Sequence, residues 1–156
     1  MEMEALISEF RDWLTDHEIT DVEIEEHVGQ HNNITMVTFP IDEGGAYVSY
    51  DIIASISEED AVCFYVEYCD IPDVDELELL HFVNDLNVTS PLTFTVEDGM
   101  LCIGYTMDPF FIAEADQLAQ AFFFVWESID AVRDDIHEAF GLLLPDEEIS
   151  DSEEDA

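Results

Sequence analysis

The side chains able to do chemistry are plentiful in this chain but poorly assembled for it. His17, His27 and His31 fall in one region, and His27-x3-His31 is a spacing that holds a metal ion when both imidazoles face one way. The turn-rich stretch Gly29-Gln30-His31-Asn32-Asn33 comes between them, so they read as independent residues. The clusters Glu25-Glu26, Asp42-Glu43, Glu58-Glu59-Asp60 and Asp73-x-Asp75-Glu76 offer oxygen ligands to Ca²⁺ or Mg²⁺. None has the glycine-centred spacing of an EF-hand loop, and they read as solvated faces. Paired carboxylates act as general acid and base only where a pocket separates their pKa values. With 40 Asp and Glu in the chain, some pairing is unavoidable and carries no information. There is no Gly-rich phosphate loop, nucleophile elbow or Cys-x2-Cys pair, and Ser150 and Ser152 lie in an acidic tail. The expectation is a protein with no catalytic residue, no cofactor and no metal: not an enzyme.

The charge itself is the strongest signal. Only Arg11 and Arg133 answer the 40 carboxylates, lysine is absent, and the formal net charge is -38. Small domains remain soluble with a net charge of magnitude roughly 2 to 8, so solubility alone does not account for it. Like charges at this density repel and destabilise the compact state. The Debye length shrinks from about 8 Å at physiological ionic strength to about 3 Å near 1 M salt, which relieves that repulsion. Asp and Glu at 19 and 21, no lysine and a little arginine resemble the composition of salt-in halophile proteins. The alternative is a nucleic-acid mimic, an inhibitor whose carboxylates imitate phosphates to occupy a DNA- or RNA-binding protein. Mass scaling gives a chain of 17.8 kDa about 8,000 Å² of surface, or one charge per roughly 210 Å². Duplex DNA, on a cylinder of about 10 Å radius, carries one per roughly 110 Å². Mimicry would need the charges gathered into a ridge, whereas here they are spread over every segment. A third use is attraction of a basic protein client.

At 48% hydrophobic and 12% aromatic, the chain has the apolar surface to fold, and 156 residues fit one domain. No run of 18 or more apolar residues suggests a membrane span, and the acidic opening is unlike a signal peptide. Three cysteines read as reduced thiols, with Cys63 and Cys69 too far apart along one strand to bridge. These features point to a cytoplasmic protein with no membrane partner. The sequons Asn33-Ile34-Thr35 and Asn87-Val88-Thr89 then read as structural residues rather than glycosylation sites.

Periodicity supplies the scaffold. Met3, Leu6, Ile7, Phe10, Trp13 and Leu14 recur at helical spacing over 3–16. Val22, Ile24 and Glu26 share one face of a strand, and a hairpin turn leads to a second strand over 34–39. Further strands are expected over 46–53 and 61–69, the latter with Val62, Phe64, Val66 and Tyr68 in the core and Cys63, Tyr65, Glu67 and Cys69 opposite. A helix opens at Pro72-Asp73 and carries Val74, Leu77, Leu80, Val83 and Leu86 to Asn87. Glu97-Asp98-Gly99 joins two strands in a hairpin. A long helix over 111–140 stops at Gly141. The plan is α+β: helix, antiparallel β-meander, helix, β-hairpin and long C-terminal helix, one domain over 1–144 with an acidic, disordered tail over 145–156.

The order of elements over residues 3 to 141 resembles the YbjN family, whose fold is that of the type III secretion chaperones. The most specific stretch is Phe82-Val83-Asn84-Asp85-Leu86-Asn87, then Pro91-Leu92-Thr93-Phe94, then Val96-Glu97-Asp98-Gly99-Met100-Leu101. The absence of lysine and the acidity of the tail depart from the family pattern. The resemblance implies a small, acidic, usually dimeric protein with a binding, regulatory or chaperone-like role and no catalytic residue.

The most apolar features are Phe110-Phe111 and Phe122-Phe123-Phe124-Val125-Trp126. A helix this broad in its hydrophobic arc is expected to bury more than one side. Phe111, Phe122, Phe123, Phe124 and Trp126 are therefore the candidate interface, for a homodimer through the long helix or for an unidentified protein client. No direct nucleic-acid binding is expected.

Overall fold

The computed structural model describes residues 2–29, 32–42, 49–57, 59 and 61–141. The chain is α+β. Helix α1 (Met3–Asp16) is followed by β1 (Glu23–Val28), β2 (Ile34–Ile41), β3 (Tyr50–Ile56) and β4 (Val62–Asp70). Helix α2 (Glu76–Thr89), the hairpin β5 (Thr93–Glu97) and β6 (Met100–Met107), and the long helix α3 (Ala115–Ala139) complete it. The strands form one six-stranded sheet in the order β1-β2-β3-β4-β6-β5, with every neighbouring pair antiparallel.

One sheet face is covered and the other is open. Alternation places Ile52, Ala54, Ile56, Val62, Phe64, Val66, Leu101 and Ile103 in the core, where α1 contributes Leu6, Ile7, Phe10 and Leu14. Along α3, Leu118, Phe122, Val125, Ile129 and Ile136 face the same core at a spacing close to the 3.6-residue turn. The opposite sheet face carries exposed Cys63, Tyr65, Glu67, Thr95 and Thr106. The β5–β6 turn places Asp98 and Gly99 at φ 52° and 75°, the pair of left-handed residues that a two-residue hairpin matched to sheet twist requires.

The element most specific to the sequence has a structural reason. Asn87, in the last turns of α2, accepts from Phe94 N at 2.6 Å and donates through Nδ2 to Phe94 O at 3.0 Å. One amide thus serves as a surrogate strand for edge strand β5 and fixes the helix to the hairpin. Asn87→Ala leaves both Phe94 backbone groups without their partner and is expected to cost about 1–3 kcal/mol, measured by urea unfolding in molar KCl. A change below 0.5 kcal/mol would show that β5 is placed by Leu92 and Phe94 packing alone.

Several expectations shift. β3 runs over 50–56, with Tyr50, Ile52, Ala54 and Ile56 turned inward; residues 46–48 lie outside the described residues, as does the tail over 145–156. Glu26 is exposed and pairs with Arg11 at 3.3 Å, because β1 bulges between Glu25 and Val28 with His27 at φ 62°. A second bulge in β4 between Glu67 and Cys69 turns Cys69 inward next to Tyr68, against the strict alternation that placed it opposite.

The two later helices also differ from their expected outlines. α2 starts at Glu76, where the Asp75 side chain accepts from Glu78 N. Its inner stripe is Leu79, Phe82, Val83 and Leu86, while Leu77 and Leu80 stand 62% and 56% exposed. A spacing of three falls about 60° short of a full helical turn at each step, so the expected stripe drifts off the core. α3 starts at Ala115 because Asp108-Pro109 caps a separate 3-10 turn (Pro109–Phe111) and extended backbone at Ile112 and Glu114 intervenes. Gly141, at φ 69°, ends it as expected.

Candidate binding surface

The aromatic run of α3 divides by helical phase. Phe122 is 2% exposed, with ring centroids 5.1 Å from Phe64, 5.5 Å from Phe39 and 6.2 Å from Phe10. It is a core residue joining α1, the sheet and α3, and its place among the interface candidates is corrected accordingly. Phe123 and Phe124 flank this stripe and are half-exposed. Phe123 meets Trp13 and Phe39 edge-on, and Phe124 rests on Tyr105 at 5.1 Å. The breadth of the apolar arc is thus largely absorbed within the chain. Beyond Phe123 and Phe124, the outward side of α3 carries exposed Glu127, Asp130, Asp134, Asp135 and Glu138.

The proud aromatics sit elsewhere. Phe110 and Phe111, in the 3-10 turn ahead of α3, are 84% and 64% exposed and lie edge to face at 6.0 Å. Their backbone is held: Asp108 Oδ1 accepts from Phe110 N at 2.9 Å and Asp108 O from Phe111 N at 3.0 Å. After them, Ile112 is buried at 0% and anchors the turn. Gln117 Oε1 accepts from Ala113 N and Glu114 N at 2.7 and 3.1 Å, fixing the step into α3. Two large apolar rings presented on a pinned turn form contact area that loses little conformational freedom on binding.

A second feature was not visible in the sequence. β2, β3 and α3 border an open hollow of about 350 Å³, with Phe39 and Ile52 from the strands and Phe122, Phe123 and Trp126 from α3 in its lining. Asp21 and Asp42 lie at the same hollow, and both are exposed. Asp42 Oδ1 accepts from Ser49 Oγ at 2.9 Å. Trp126 Nε1 is buried and meets no acceptor among the described residues. The sequence signalled Trp126 but not its partners from β2, β3 and the segments ahead of β1 and after β2, some 70 to 105 positions earlier.

Among the described residues, the titratable groups with resolved partners have structural contacts. His137 is buried with Nε2 3.2 Å from Tyr68 Oη, a core contact between α3 and β4. Cys69 is pushed up to about 12 by burial and, to a lesser degree, by Asp70, which keeps it a neutral thiol. On the open sheet face Tyr65 Oη lies 3.2 Å from Cys102 Sγ and 3.3 Å from Glu97 Oε2. The Cys102 contact, followed by desolvation, raises the phenol; desolvation raises the Cys102 thiol. Neither group is activated toward nucleophilic attack. An open cleft of about 390 Å³ gathers Glu2, Glu4, Glu26, Glu59 and His27, but no cluster of three or more His, Cys, Asp or Glu among the described residues is placed to hold a metal. His31 lies outside the described residues.

Every Asp and Glu among the described residues is exposed. Over a surface of 9461 Å² the net charge of -38 amounts to one per about 250 Å², sparser than mass scaling implies and less than half the density of duplex DNA. No helix among the described residues is long and apolar enough to cross a membrane. No family model, curated protein or solved structure matches the chain.

Proposed function

We propose that this chain is a non-enzymatic, cytoplasmic protein-binding domain of the YbjN type, with a regulatory or chaperone-like role and a surface adapted to molar salt. The observation that carries the reading is the Phe110-Phe111 pair, held far out of the core on a turn pinned by Asp108. Exposing two phenylalanines has a solubility cost that a binding role repays. The spread of carboxylates over all elements favours solvent adaptation over the ridge that nucleic-acid mimicry requires.

The partner closest at hand is a second copy. Two chains of charge -38 repel, and only at molar salt, where the Debye length is about 3 Å or less, does an aromatic contact between them prevail. The homodimer is therefore proposed to form through the Phe110-Phe111 turn rather than along the acidic outer side of α3, leaving other surfaces for a protein client. In 3 M KCl the double variant Phe110→Ser/Phe111→Ser is expected to sediment as a monomer where the unaltered protein sediments as a dimer. In 0.1 M KCl, where neither protein pairs, the two melting temperatures should agree within about 2 °C, since neither ring is buried within the chain. Equal sedimentation of the two proteins would remove the turn from the interface.

A further inference from the structure

We infer that the hollow beside Trp126 is a docking site for a basic segment of a partner protein. An apolar side chain of the segment enters between Phe39 and Trp126, and a neighbouring arginine or lysine meets Asp21 and Asp42. The inference rests on the protein-binding reading but on different residues from the Phe110-Phe111 turn.

Three observations converge. The volume, about 350 Å³, is at the lower end of the range for bound ligands, roughly 300–1,000 Å³; it suits one large side chain with adjoining backbone rather than a cofactor. The walls are aromatic and aliphatic, while among the described residues the ionisable side chains at the hollow are both carboxylates, so the chemistry selects an apolar body carrying a cation. Trp126 lines the hollow, and an indole attracts a cation as well as an apolar side chain. An acidic or purely apolar segment satisfies only part of this set.

The test uses the full chain in 1 M KCl, where diffuse attraction between a polyanion and any cation is screened beyond about 3 Å and contact pairs are what remain. The probe is a blocked heptapeptide, Gly-Gly-Arg-Leu-Arg-Gly-Gly. The readout is the indole N–H resonance of Trp126, distinguished from that of Trp13 by the variant Trp13→Phe. Saturable movement of the Trp126 resonance is expected. Affinity should fall about tenfold or more when the peptide leucine becomes alanine, and similarly when both arginines become glutamine or when Asp21→Asn/Asp42→Asn is introduced. An unmoved Trp126 resonance would overturn the inference, and so would equal binding of the glutamine peptide. Movement of that resonance with protein concentration alone would assign the hollow to a second copy and overturn it as well. Peptide binding by a protein that remains monomeric would discard self-association through Phe110-Phe111 and leave the hollow in place. The reverse result would discard the hollow alone.

Discussion

Raising KCl from 0.1 to 3 M is expected to lift the melting temperature by about 10 °C or more. All described carboxylates are exposed, and the chain has only two cationic residues to set against them: among the described residues Arg11 pairs with Glu26 at 3.3 Å, and Arg133 with Asp130 at 2.6 Å and Asp134 at 3.9 Å. The remaining negative charge is held closer together in the folded chain than in the unfolded one, and the Debye length at 0.1 M, about 10 Å, is long enough for neighbouring charges to feel one another. Salt removes this penalty from the folded state preferentially. For a domain of this size 10 °C corresponds to about 3–5 kcal/mol, a substantial part of the 5–15 kcal/mol that separates a folded domain from its unfolded chain. Thermal scans by circular dichroism in the two buffers measure it. A melting temperature that moves by less than about 3 °C would detach the charge from the solvent and favour a partner as its reason. Sodium chloride at equal ionic strength should act similarly, because screening depends on ionic strength rather than on the cation.

Phe122→Ala is expected to destabilise the fold by about 3–5 kcal/mol, the usual range for deleting a buried aromatic ring. The ring is the meeting point of Phe10 from α1, Phe39 and Phe64 from the sheet, and the start of the α3 stripe. Its loss opens a void that three rigid rings cannot readily fill, and the adjoining hollow admits water to the same place. Phe123→Ala and Phe124→Ala, on half-exposed rings, should cost about 1 kcal/mol each. Urea unfolding of the three variants in 3 M KCl measures the contrast. Equal costs for all three would mean that α3 sits on the sheet at a different rotation.

The contrast also marks where sequence reasoning reaches. Phe122, Phe123 and Phe124 are chemically identical, and only their phase on α3, fixed by Leu118, Val125 and Ile129, separates a core ring from two flanking ones. That phase is legible in the spacing alone, whereas the start at Ala115 rather than 111 is set by the Asp108-capped turn over Pro109–Phe111, which the spacing does not reveal. Strict alternation puts Cys69 on the wrong face because a bulge shifts it without a signature residue, and a spacing of three follows the face of α2 only over short stretches. Where local chemistry decides the backbone, the reading held: Asp98-Gly99 turns as expected, Val62, Phe64, Val66 and Tyr68 are buried, and Gly141 ends the helix. Of the binding surface, the aromatic residues were visible and their grouping was not. Asp21, Phe39, Ile52 and Trp126 meet only through the order of the strands, which no local spacing encodes.

The central claim is that the exposed aromatic turn is a protein interface working in molar salt. Molar mass by light scattering in 3 M KCl, over a range of protein concentrations, tests it most directly. The account predicts a mass that reaches twice 17.8 kDa and returns to the monomer value on dilution into 0.1 M KCl. A mass of one chain at every concentration in 3 M KCl would contradict it.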